Sequence, residues 1–132
     1  MAGDDQPERH LQIEYMGRSR GGAWGTKVNA DGRAEEWTDQ EGWQPLVQLD
    51  AAAIESLREA VTESSFFALP EKVGFERAVR DGTTLRWEVE MDGERHAVDV
   101  RHNPVAPNPA LALLDQELQR VVGEALNREA DQ

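Results

Sequence analysis

Apolar and polar residues alternate through Leu11-Gln12-Ile13-Glu14-Tyr15, which predicts a strand with one buried face. The period of two returns at Trp24, Thr26, Val28 and Ala30, and Asp31-Gly32 then signals a hairpin, so Arg33 to Thr38 is expected as the next strand. After the polar stretch Asp39-Gln40-Glu41-Gly42, the segment Trp43 to Leu49 is apolar enough to pack. Pro45 within it argues for an edge or irregular strand. The clearest alternation sets Leu85, Trp87, Val89 and Met91 against Arg86, Glu88 and Glu90. It turns at Asp92-Gly93 and resumes with His96, Val98 and Val100, a β-hairpin with one face buried.

Two segments change period. Behind Asp50, a good N-cap, Ile54, Leu57 and Val61 fall three and four apart, which predicts an amphipathic helix from Ala51 to about Glu63. Phe66-Phe67-Ala68-Leu69-Pro70 then reads as a turn that drops aromatic rings into the core. Asn108 as N-cap and Pro109 at the first helical position open a closing helix, marked by Leu111, Leu114, Leu118, Val121, Val122 and Ala125. Glu71 to Gly82 has mixed signals and is expected as a loop.

The expected fold class is α+β: an antiparallel sheet of four to five strands with two amphipathic helices on one face, in the order β-β-β-α-β-β-α. Residues 1–9 and 127–132 are polar and aperiodic and read as flexible tails around one domain at 10–126. A chain of 132 residues suffices for a single core.

Charge narrows the function. The formal net charge of −12 repels phosphate backbones and anionic membranes, so neither a nucleic acid nor a membrane is an expected partner. The acidity has two readings, a solvated face that keeps a monomer soluble and a field that steers toward a basic partner. No run reaches the length of a membrane span, the N-terminus lacks a signal-peptide pattern, and a cytoplasmic location is the expectation. Without cysteine there is no thiolate nucleophile and no Cys-based zinc site.

The remaining candidates for chemistry are few. His96 and His102 share strand parity but lie about 20 Å apart along an extended chain, too far to share one metal ion. His10 stands beside the tail. Glu88 and Glu90 fall on the polar side of their strand, where plain solvation is expected of them. The Asp39–Glu41 cluster lacks EF-hand spacing. The glycines between Gly17 and Gly25 match no phosphate-binding fingerprint and join strand to strand. No catalytic constellation and no cofactor are therefore expected. Arg18, Arg20, Gly21, Gly22 and Trp24 instead form a locally basic loop on an acidic chain, readable either as a recognition element or as an ordinary hairpin loop.

The first strand running into Gly21-Gly22-Ala23, the helix ending in Phe66-Phe67-Ala68-Leu69-Pro70, the hairpin from Leu85 to Val100, and Pro107-Asn108-Pro109-Ala110-Leu111 leading into the last helix occur in an order that resembles the emfourin-like family. These are small bacterial cytoplasmic proteins whose namesake inhibits protealysin, a thermolysin-type zinc metallopeptidase. The resemblance spans roughly residues 11–118 and implies a non-enzymatic inhibitor that occludes a peptidase cleft with a loop. The Gly17–Gly25 loop and the Asn103–Pro109 link are the segments suited to that task, with Trp24 or Val105 as the apolar side chain entering the cleft. An acidic protein–protein interaction module with no peptidase connection is the alternative.

Overall fold

The computed structural model describes residues 10–73, 83–101 and 108–131, and in it the first alternating run becomes β1 (Leu11–Ser19). Ile13 lies opposite Val28 of β2 (Gly22–Val28) on one side and Val89 of β6 (Thr84–Met91) on the other, so apolar residues of three strands meet in one layer. Sheet parity carries that layer outward to Ala34 of β3 (Arg33–Thr38), Val47 of β4 (Gly42–Gln48), and Val98 and Val100 of β7 (Glu94–Arg101). All of these side chains are buried.

The sheet has seven strands in the order β4-β3-β2-β1-β6-β7-β5, more than the four to five expected. Two segments account for the difference. The Pro45 segment pairs along its length with β3 because it lies at the sheet edge, where a missing N–H is tolerated, and a register shift at Ala34/Glu35 absorbs the irregularity. The other addition is β5 (Lys72–Val73), which pairs with β7 in parallel and makes the sheet mixed instead of purely antiparallel. Two residues are too short a run to show a period in sequence.

Both helices cover the Ile13 face. α1 (Ala51–Glu63) starts where Asp50 accepts a hydrogen bond from the Ala53 amide at 2.8 Å, and it buries Leu57 and Val61 together with Ala53 and Ala60. Ser65, at φ 54°, swings the chain into a single 3-10 turn at Phe66–Ala68 that buries Phe66 completely. α2 (Pro109–Ala130) is capped by Asn108, whose side-chain oxygen accepts from the Ala110 and Leu111 amides at 3.0 and 3.1 Å. Its six anticipated apolar positions are all buried. The helix continues through Asn127–Ala130, which had read as tail. Those residues are exposed, so no apolar period marks them, although Arg128 comes within 3.7 Å of the Asp50 carboxylate.

Turn chemistry closes the frame. Asp92 and Gly93, at φ 54° and 89°, form the two-residue turn between β6 and β7, as Asp-Gly pairs do. Arg58 of α1 grips that turn with two bonds of 2.6 Å to the Asp92 carboxylate, tying helix to hairpin.

Candidate functional site: the uncovered face of the sheet

The helices leave the second face of the sheet bare among the described residues. Sheet parity assigns to it Arg18 from β1, Lys27 from β2, Arg33 from β3, Lys72 from β5, Arg86 from β6, and Arg95 and Arg101 from β7. The acids there are Glu14, Glu35, Glu88, Glu90 and Asp99. Among the described residues this face therefore holds seven Lys and Arg against five Asp and Glu, on a chain of net charge −12.

Most of these charges are paired across strands. Arg86 reaches Asp99 at 2.9 Å, Arg95 bonds Glu88, and Lys27 lies 3.9 Å from Glu35 and 4.5 Å from the centre of the Trp43 ring. Contact with Asp99 raises the pKa of the Arg86 guanidinium further. Arg18 and Arg33 differ: both are exposed, and neither side chain makes a hydrogen bond or ion pair with any described residue.

Beside Arg18 lies an apolar corner. Trp37 and Trp43 stand directly opposite each other on β3 and β4, ring centres 5.6 Å apart at 73°, and both are half-buried. Gly25 makes the corner possible. A Cβ there would collide with the Met16 sulfur, lie 2.6 Å from the Tyr15 carbonyl oxygen and 3.1 Å from the Trp43 ring, so only glycine lets Met16 and Trp43 close over the strand. Met16, Arg18, Trp37, Trp43, Lys72 and Arg86 line a groove of about 580 Å³, to which Glu14 and Asp99 add acid.

The residues anticipated from sequence are distributed differently. The supposed Gly17–Gly25 loop is two paired strands joined by Arg20 and Gly21 alone, since pairing continues to Ser19 opposite Gly22. Gly17, Gly22 and Gly25 are strand glycines. Gly17 makes room for the Trp24 ring lying across it, and Gly22, at φ 129°, lets the Asp39 carboxylate reach the Ala23 amide at 3.1 Å. Asp39 also accepts from the Trp37 indole at 3.4 Å, so it staples the β1–β2 turn to the β3–β4 turn. Arg18 faces the bare side and Trp24, opposite Gly17, the helix side, so the two do not share a surface. Trp24 is 39% exposed and hydrogen-bonds the Tyr15 hydroxyl. Burial raises the Tyr15 pKa, the Trp24 bond lowers it in part, and the charge of Asp115 adds to the rise. Val105 lies outside the described residues, as does His102.

The other candidates have structural occupations. His96 places Nε2 2.7 Å from the Leu69 carbonyl and packs edge-on against Phe66. His10 contacts Glu90 at 3.1 Å. Glu88 and Glu90 do lie on the polar face. Among the described residues no cluster of His, Asp or Glu has a metal-holding arrangement, and no helix is long and apolar enough to cross a membrane.

Sequence reasoning left open whether Trp24, Trp37 and Trp43 form one exposed patch or lie in the core, and it did not bring Met16 and Arg86 to the Trp37–Trp43 pair. The available signal was parity: Trp37 is out of phase with Ala34, and Met16 with Ile13, which assigns them to the face that the helices do not need. No protein-family model matches the chain, and no curated protein does. The emfourin-like resemblance therefore stands on the motifs that suggested it.

Proposed function

We propose that this chain acts by binding another protein and not by catalysis, and that the partner docks on the uncovered face of the sheet. The Trp37–Trp43 pair carries this reading. Two indoles half-exposed on a polar face, over a glycine that keeps them in place, are poor economy for stability alone, whereas tryptophan anchors dominate protein interfaces. The concentration of cations around them on an acidic chain adds electrostatic selectivity.

The sequence resemblance selects a thermolysin-type metallopeptidase as the first partner to test. In the assay, purified chain at micromolar concentration is added to such a peptidase and hydrolysis of a peptide substrate is followed. Inhibition that Trp37→Ser weakens at least tenfold supports both the peptidase and the face. Full peptidase activity throughout the titration removes the inhibitor reading.

A second reading is favoured by one observation. The Arg20-Gly21 turn is short and stapled by Asp39, so among the described residues the best-defined surface is a broad face and not a projecting loop. An interaction module with no peptidase connection fits such a face equally well. Capture from the host with wild-type and Trp37→Ser bait separates the two: a peptidase lost with the substitution supports the first, and a different stable partner lost with it supports the second.

A further inference from the structure

We infer that the groove on the uncovered face accepts a partner segment in which a carboxylate stands next to an apolar or aromatic side chain, the carboxylate bonding Arg18 and the apolar group entering the Trp37–Trp43–Met16 corner. The inference rests on the binding reading above and specifies what is bound.

Charge complementarity carries it. The acidic chain supplies partners to several cations on this face: Arg86 has Asp99, Arg95 has Glu88, and Lys27 has Glu35 and the Trp43 ring. Arg18, which lines the groove, has none among the described residues; the Arg33 side chain shares that state but does not line the groove. A guanidinium presents a planar fork of donors matched to a carboxylate, and such charge-assisted bonds are about twice as strong as neutral ones. Two Trp rings and the Met16 thioether lie beside it in the same groove, a surface that receives an apolar side chain and adapts to its shape. Lys72 and Arg86 on the far wall keep the local field favourable to an acidic segment, while Glu14 and Asp99 disfavour one with consecutive charges. The specificity is therefore for one carboxylate with an apolar neighbour, not for a polyanion.

The test pans a display library of random heptapeptides on the full chain and on Arg18→Glu, Arg18→Lys and Trp37→Ser, each first shown to unfold at the wild-type temperature. Wild type is expected to enrich peptides with Asp or Glu adjacent to Leu, Phe or Trp. Arg18→Glu should weaken the enriched peptides at least tenfold and shift selection toward Lys or Arg at the carboxylate position. Arg18→Lys retains the charge preference with weaker binding, because the fork is lost. Enriched peptides without a carboxylate, or the same peptides on Arg18→Glu, overturn the carboxylate assignment. If those peptides still depend on Trp37, the face survives as a binding surface. No enrichment on wild type, or enrichment indifferent to both Arg18 and Trp37, overturns the groove as well.

Discussion

The two faces of one sheet answer to different demands. On the covered face Trp87 is 1% exposed, ringed by Tyr15, by β-branched neighbours and by the helices, with the Tyr15 ring centre 4.5 Å away. On the bare face Trp37 and Trp43 also touch, but both are only half-buried, with Trp43 and Met16 packed over Gly25 and no described residue burying the pair fully. The same residue type serves cohesion on one face and presentation on the other. What decides between them is parity: one step along a strand moves a side chain from the core to the groove.

The sharpest way to break the comparison is to truncate a tryptophan on each side. Trp87→Ala removes a fully buried ring and is expected to cost about 3–5 kcal/mol of stability. Trp37→Ser is expected to stay within about 1 kcal/mol of wild type. Denaturant unfolding of both variants checks this, and equal losses would show that the bare face belongs to the core after all.

Gly25→Ala tests whether the bare face is organised or merely uncovered. The added methyl meets the Met16 side chain, which can move, and the Tyr15 carbonyl, which is part of the strand, so a cost of about 2 kcal/mol is expected. Met16→Ala in the same chain should recover only part of it, because the carbonyl clash remains. Full recovery would reduce Gly25 to a side-chain accommodation.

Arg58→Ala removes the bidentate grip on Asp92 and leaves both faces intact. Its carboxylate partner is about one-third exposed, so water compensates in part and a loss of about 1 kcal/mol is expected. Hydrogen exchange should localise the loosening to the Asp92-Gly93 turn, with binding on the bare face unchanged.

The covered face was largely legible in the sequence because its rules are local. Asp50 and Asn108 cap helices where they stand, Asp92-Gly93 turns where it stands, and Leu85 to Val100 announces its own parity. The bare face was less legible for three physical reasons. Gly17 and Gly25 read as loop residues because a strand glycine has no signal of its own; its explanation is the side chain packed over it, Trp24 or Met16 with Trp43. Pro45 and the register shift at Ala34/Glu35 obscured the phase of β4. The two-residue β5 depends wholly on β7, a long-range contact that sequence alone does not encode. Arg18 was read from sequence together with Trp24; adjacency in the chain suggested one surface where the sheet makes two.

The smallest expected effect lies where the covered face meets its rim. Asp115 of α2 is half-buried beside Tyr15, and desolvation holds its carboxyl above the ordinary pKa, with a hydrogen bond from Gln119 acting in the opposite direction. A carboxyl whose folded pKa exceeds its unfolded pKa favours folding when protonated, so its contribution is fully present below the unfolded value and is lost as pH rises through the folded one. At neutral pH the ionised group is a small liability. Asp115→Asn removes the charge and keeps a hydrogen-bonding side chain, and it is expected to stabilise the protein by up to about 0.5 kcal/mol at pH 7. The gain should vanish near pH 3, where wild type is protonated as well. Thermal unfolding of both proteins from pH 3 to 8 provides the measurement: the difference in Tm must grow with pH. A difference that shrinks with pH would mean that the Asp115 charge is stabilised in the fold, and that the rim of the covered face is as well suited to charge as the bare face opposite it.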